Sequence, residues 1–288
     1  MSFEQIVARQ AGVVAVRQAG ACGLSSATMQ RRVRDGRWRR LHPGVHLVGG
    51  HRLGPEARVW AAWLWAGDRA AVSGPSAAYL HGQPVDVPAV VDLTVPASCS
   101  PRRRPGIVLH RRDLTPGDVV FRGGLRLIAP PLAALETAVV LPDGSTFLDR
   151  VLQRHVGFPE LHAAYCRMLG RRGSRAAGRL LAAAADRADS AAERLLVRLL
   201  RESAVTGWVL GHPVGPFRID VAFVVRRVAV EVDGWAWHVD AERFRADRRR
   251  QNVLVAQGWT VLRFTWHDLT TRPGACVAEI RAALDRAA

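Results

Sequence analysis

Lysine is absent from all 288 residues, so each of the 41 basic side chains is an arginine. Any catalytic motif that depends on a lysine is excluded in its usual form. Cysteine is sparse: Cys22, Cys99, Cys166 and Cys276 lie far apart with no CxxC spacing. That argues against a zinc site and against a disulfide framework. No apolar run approaches membrane length, and the start Met-Ser-Phe-Glu-Gln has neither a basic n-region nor an apolar h-region. A reducing, cytoplasmic location with no membrane contact is expected. No glycine-rich nucleotide loop is found, and no internal repeat. Acids are also few, 25 against the 41 arginines.

What is present is a strong positive excess, +16 at neutral pH, on a chain that is 49% apolar and 23% charged. Such a composition suits a soluble globular protein of two or three domains. Coding bias can explain arginine in place of lysine, but not the excess itself. The excess points to a polyanionic partner, most often nucleic acid. It is uneven: residues 1–50 hold eight arginines against two acids, 51–185 hold 17 against ten, and 186–288 hold 16 against 13.

Residues 1–50 read as three short helices, the third over about 25–35 with a Ser25 or Ser26 cap and Gly36 as its stop. A hairpin over 38–48 follows. Three helices and a hairpin spell a winged helix-turn-helix. The third helix would carry Arg31, Arg32 and Arg34, with Arg37, Arg39 and Arg40 beside it, suited to phosphates and guanine edges. The plainer reading is a helical cap with a solvated basic face. Gly-Leu-Ser, Arg-Arg-Val-Arg-Asp-Gly and Leu-His-Pro-Gly-Val in this segment resemble the N-terminal domain of AbiEi-type antitoxins of type IV toxin–antitoxin systems. The resemblance implies promoter-DNA binding by Arg31, Arg32 and Arg34.

Residues 51–185 hold a tryptophan-rich helix over 56–66, strands over 90–95, 107–110 and 125–128, and helices over 131–140 and 146–155. Ser73-Gly-Pro-Ser-Ala-Ala-Tyr-Leu-His-Gly82 resembles a segment that follows the winged helix in the same antitoxin-like proteins. Tyr79 and His81 read as packing residues. This middle, antitoxin-like region is assigned to positioning or to a protein partner such as a toxin, and 171–178 to a basic linker.

The densest signal lies at 217–238. Apolar residues alternate with period two, pause at Arg226-Arg227, and alternate again, which reads as two strands and a turn. A two-residue Arg-Arg turn would set Asp220 opposite Asp233 and Ala222 opposite Glu231. A longer loop with an even number of added residues would move the pairs but keep the face. Asp220, Glu231 and Asp233 would then converge within roughly 5–7 Å. Like charges so placed repel unless a cation fills the gap, and a hard divalent ion with oxygen ligands suits them. A helix over 190–203 precedes this pair. Another runs over 240–257 with Gly258 as its stop, then a strand over 260–266 placing Leu262, Phe264 and Trp266 on one face. The strand–helix–strand crossover predicts parallel pairing of 228–233 with 260–266.

Phe217-Arg-Ile-Asp220, Val230-Glu-Val-Asp-Gly-Trp235, Trp237-His238, Asp247-Arg-Arg-Arg250 and Gly258-Trp-Thr-Val-Leu-Arg-Phe-Thr-Trp266 together resemble the PD-(D/E)XK restriction-endonuclease-like fold. The similarity is to the domain family related to very short patch repair endonucleases and covers about 190–268. It implies an αββαβα domain at 186–288 within a mixed α/β, multidomain chain. It further implies that Asp220 and Glu231 hold Mg2+, or Mn2+, for phosphodiester hydrolysis. The lysine of the family's Glu-x-Lys falls on Asp233; the mismatch-repair relatives carry histidine there, so the fold tolerates change. His238 is either a proton carrier or a packed strand-end histidine. Glu193 is either the acid of a Ser190-Ala-Ala-Glu193 capping box or a support for the metal site. Arg248 and Arg249, in a basic run on the long helix, either position a phosphate backbone or face solvent. The reading is a DNA-binding protein with a magnesium-dependent endonuclease domain, RNA not being excluded as substrate. The rival is a non-catalytic, antitoxin-like regulator on a degenerate nuclease fold.

Overall fold

The computed structural model describes residues 1–99, 102–233 and 241–287, without the side chains of 188, 189, 233 and 241–248. The chain divides into two compact units, Met1–Ala177 and Gly178–Ala288.

The first unit opens with α1 (Phe3–Arg9), β1 (Val13–Ala15), α2 (Val16–Ala21), α3 (Ser26–Arg34), β2 (Trp38–His42) and β3 (Val45–Val48). Ser2 caps α1 through a reciprocal capping box with Gln5, and Ser25 caps α3 by accepting from the Thr28 N–H. Both serines satisfy helix-end donors that would otherwise be unpaired. Gly36 takes a φ of +71° just beyond α3, where a side chain would be strained. β1 was not expected: only three residues long and wholly buried, it pairs with β3 to give the order β1-β3-β2. Val14, Ala19, Met29 and Trp38 form the small core beneath these elements.

The same unit continues through α4 (Pro55–Ala66), β4 (Ala71–Val72), α5 (Gly74–Leu80), β5 (Val91–Val95), β6 (Ile107–Arg111), β7 (Val119–Arg122) and β8 (Leu125–Ile128). α6 (Pro130–Val140), α7 (Gly144–Arg154) and α8 (Phe158–Met168) close it. Its second sheet has the order β6-β5-β4-β8-β7. α4 packs on β1, β2 and β3 as well as on β4 and β5, so residue 50 falls inside this unit. His81 Nε2 donates to the Ile128 carbonyl at 2.8 Å, a packing role.

The second unit takes nearly all of α9 (Ser174–Glu202), then β9 (Val209–Val214), β10 (Phe217–Phe223), β11 (Val228–Asp233), α10 (Ala241–Ala256), β12 (Thr260–Thr265), α11 (Trp266–Thr271) and α12 (Pro273–Arg286). The sheet order is β12-β11-β10-β9. β11 and β12 run parallel, Val228 against Thr260 through Asp233 against Thr265, as the crossover argument predicts. Val221, Phe223, Val228, Val230 and Val232 share one core with Leu196 and Leu200 of α9 and Val277 and Ile280 of α12. Ala222 and Ala229 belong instead to a core with Leu254 of α10 and Trp259.

Three local expectations are corrected. The helix expected over 190–203 is the end of a 29-residue helix, so Ser190 lies in its interior and cannot cap it. The Ser190–Glu193 capping box therefore falls, and most of the supposed linker over 171–178 is the first turn of α9. β9, with Gly211 and Pro213, was not expected as a strand. It is an edge strand, the position in a sheet that tolerates proline. Trp266 leaves the strand to begin α11 and is 37% exposed, while Leu262 and Phe264 stay with the core.

Candidate nuclease-like site

The strand pair that carries the acids has a different register from that of a two-residue turn. Val221 faces Val230, Ala222 faces Ala229 and Phe223 faces Val228, leaving a four-residue loop over 224–227. A type I′ two-residue turn would require positive φ at both arginines. The four-residue loop needs it at Arg227 alone, where φ is +48°. Arg227 is held there by its guanidinium, which donates to the Gln257 carbonyl at 2.9 Å. The expected pairs Asp220–Asp233 and Ala222–Glu231 are thus replaced. Continued by one residue, the observed register sets Asp220 directly against Glu231. Parity is unchanged, so both acids keep the face opposite the valine-rich core.

Glu231 is buried and Asp220 half-buried. Glu231 is 3% exposed, and its Oε1 is buried with no hydrogen-bond partner among the described residues. Asp220 is fixed by the Val232 N–H, which donates to its Oδ2 at 2.9 Å. Arg250, from α10, reaches the pair: its Nη2 forms an ion pair with Glu231 Oε2 and lies 3.9 Å from Asp220 Oδ1. The same nitrogen donates to the Arg218 carbonyl at 2.6 Å. Arg263 sits beside Glu231 on β12 and its charge acts on both acids.

Burial, helped by the adjacent Asp220, pushes the Glu231 carboxyl up to about 7 against the pull of Arg250 and Arg263. Burial likewise raises Asp220, opposed by the Val232 N–H and then by the two arginines. Burial therefore makes the charged forms costly, and the two guanidinium groups offset only part of that cost. An orphaned buried carboxylate oxygen next to a second carboxylate fits a hard cation, and magnesium commonly needs only one or two protein carboxylates. Among the described residues no group of three or more potential metal ligands is found. The third expected acid, Asp233, has its backbone in β11 opposite Thr265, and its side chain lies outside the described atoms. His238 and the Arg248 side chain also lie outside them.

Asp220 opens onto a cleft of about 790 Å³ between α9 and the β9–β10 ladder. Glu193 lines the same cleft, so the fold brings this acid toward Asp220 from a separate helix. Arg194, Arg198, Arg201 and Arg218 line it as well, all with exposed side chains. The first three recur at helical spacing, i, i+4 and i+7, which places them on one stripe of α9. That stripe was legible in the sequence and was missed. So was Arg263, since Leu262 and Phe264 face the core and the residue between them must face the acids. Arg249 is exposed on α10.

The arginines expected to meet DNA lie in the first unit. Arg31, Arg34, Arg37, Arg39 and Arg40 are exposed. Arg32 is half-buried, its guanidinium 5.5 Å from the Trp38 ring centre and 5.8 Å from that of Phe3. It ties α3 to α1 and β2 by cation–π contact.

Among the described residues, no helix is long and apolar enough to cross a membrane. The restriction-endonuclease-like family model REase_MTES_1575 matches residues 194–284. The uncharacterized protein Rv2248 of Mycobacterium tuberculosis strain H37Rv is 30% identical over 241 residues, covering 80% of this chain and 87% of the relative. Protein MT2308 of strain CDC 1551 gives the same figures. The uncharacterized protein YcjD of Escherichia coli K12 is 36% identical over 96 residues, 33% of this chain and 80% of the relative. The crystal structure of the RV2827C protein from Mycobacterium tuberculosis overlaps 63% of this chain and 76% of its own, at 18% identity and a TM-score of 0.41. The chain belongs to the protein family that includes Rv2248, and its residues 194–284 form a restriction-endonuclease-like domain.

Proposed function

We propose that the protein binds DNA and hydrolyses phosphodiester bonds at Asp220 and Glu231 with a divalent metal ion. The observation that carries this reading is the pair of buried Glu231 and half-buried Asp220, the latter opening onto an arginine-lined cleft within the nuclease-like domain. Asp220 and Glu231 would hold the magnesium or manganese ion. Such an ion supplies Lewis-acid activation of water and neutralises charge at the phosphate. The chain's own groups do the rest. Arg194, Arg198, Arg201 and Arg218 draw in and orient a phosphate backbone. The Val232 N–H fixes Asp220 in place. Glu231, with its carboxyl raised to about 7, can hold or release a proton near neutral pH. Glu193 approaches from α9 as a further acid of the same cleft. Arg250 supplies beside the carboxylates the positive charge that Asp233 does not.

The helix–strand order of the first 50 residues and the exposed Arg31, Arg34, Arg39 and Arg40 support a winged helix that presents the protein to DNA. A single strand or RNA would use the same phosphate chemistry in the cleft. The direct test incubates the full chain with supercoiled plasmid, single-stranded DNA and RNA, with magnesium, with manganese and with chelator. Metal-dependent cleavage lost in Asp220→Asn and in Glu231→Ala is expected. Cleavage indifferent to both substitutions, or none on any substrate, overturns the catalytic reading.

A second reading has its own observation in favour: Arg250 already neutralises the acids, and the family's lysine position holds Asp233. The protein would then be a non-catalytic, antitoxin-like regulator whose middle region serves a protein partner such as a toxin. Promoter binding lost on replacing the exposed Arg31 and Arg34 by alanine, with Asp220 and Glu231 dispensable in cells, distinguishes it.

A further inference from the structure

The first unit holds a second cationic cleft, of about 380 Å³, at one end of its five-stranded sheet. Arg69, Arg112 and Arg126 line it together with Thr94 and Phe121. Topology explains the convergence. Thr94, the last residue but one of β5, pairs with Ala71 of β4, just after Arg69. Arg112 follows β6, and its N–H donates to the Val95 carbonyl at 2.8 Å. Phe121 and Arg126 are direct cross-strand partners on β7 and β8.

Several features mark it as built for a ligand. Thr94 is 1% exposed, and its Oγ1 is buried with no hydrogen-bond partner among the described residues. Arg112 uses Nη1 on Glu136 at 3.1 Å, while its Nη2 is buried with no such partner. A buried donor left unmatched costs free energy that a bound acceptor would recover. Arg126 donates to the Arg69 carbonyl at 2.6 Å, bringing two guanidinium-bearing residues together. Burial, and after it the nearby Arg69 charge, lowers the Arg126 pKa. Two acids also line the cleft: Asp68, ion-paired with Arg17 at 2.5 Å, and Asp113, which accepts from the Ala97 N–H at 3.2 Å. Phe121 is 75% exposed, an unusual state for so large an apolar ring and one that offers a flat stacking surface.

We infer that this cleft binds a nucleoside-phosphate unit, the phosphate held by Arg69, Arg112, Arg126 and Thr94 and the base stacked on Phe121. The unit is either a free nucleotide or one residue of a single strand. A duplex offers no unstacked base to Phe121, so unpaired nucleic acid is the macromolecular form that fits. The site lies wholly in the first unit and does not rest on the nuclease reading.

The test is photocrosslinking of the full chain, in an Asp220→Asn background that keeps the probe intact, to a short 5-bromodeoxyuridine oligonucleotide, with adducts mapped by mass spectrometry. The expected result is an adduct at or next to Phe121. Affinity for the oligonucleotide should fall about tenfold in Phe121→Ala, the scale of one stacked base. Arg69→Ala should flatten the salt dependence by about one ion. Both side chains are exposed, so an unchanged thermal transition in each variant secures the comparison. Direct titration with deoxythymidine monophosphate separates the sources: binding that is lost in Phe121→Ala marks the free nucleotide as ligand, and an adduct with no mononucleotide binding marks the strand. Adducts only outside this cleft, together with unchanged affinity in both variants, overturn the inference.

Discussion

Replacing Glu231 by glutamine tests the electrostatics of the carboxylate pair without removing its shape. The Glu231 carboxyl stands at about 7 in the folded protein against an ordinary 4.5. That difference is worth about 3 kcal/mol. The sign follows from proton binding. Between these two values the folded state holds the proton more tightly than the unfolded state, so stability falls as pH rises. The penalty is absent below about pH 4.5, grows through the interval and is complete above about pH 7. Glutamine carries no titrating group and still accepts a hydrogen bond from Arg250. The Glu231→Gln variant should therefore lose the pH-dependent decline. For a unit of this size, about 3 kcal/mol corresponds to a shift on the order of 10 °C. Calorimetry of wild type and variant at about pH 5 and about pH 8 reads it as the difference between the two slopes. Manganese at about pH 8 should restore much of the loss in wild type and little in the variant, since only wild type gains an anionic ligand for it. Equal slopes in the two proteins would refute the raised carboxyl and the mutual repulsion with Asp220.

Other perturbations separate the parts of the account. Arg250→Met leaves buried Glu231 and half-buried Asp220 without this cation, and about 3 kcal/mol should be lost at about pH 8, with a smaller loss at about pH 5 where Glu231 is protonated; urea unfolding at the two pH values measures it. Triple substitution of Arg194, Arg198 and Arg201 by alanine should lower the magnitude of the salt slope of single-strand binding by about two while the fold persists, read by fluorescence anisotropy across salt concentrations. Gly258→Ala should destabilise by about 1 kcal/mol or more, because φ is +77° there and an added Cβ would come to 3.2 Å from Arg227 Nη1; the denaturation midpoint checks it.

The sequence made the acids legible and left their counter-charges hidden, for physical reasons. Alternation in β10 and β11 is strong because one face is all core, so Asp220 and Glu231 could be put on the other face whatever the loop length. Register was less legible. It depends on Arg227 accepting a positive φ, a tertiary effect of its bond to Gln257. Arg250 is one of five arginines within eight residues of α10, and only the rotational phase of the packed helix selects it. The extent of α9 was obscured by Gly178 and Ser190, which read as punctuation but sit inside a helix long enough to absorb them. β9 escaped because Gly211 and Pro213 break the usual strand pattern, and edge position excuses both.

The central claim is that Asp220 and Glu231 together hold a divalent cation. Crystals of the protein grown near pH 8 and soaked in manganese test it most directly, through the anomalous difference density. The account expects a peak between the two carboxylates, with the Arg250 guanidinium displaced from Glu231, and no peak in Asp220→Asn crystals. Density that leaves Arg250 paired with Glu231 and places no manganese at the acids would contradict it.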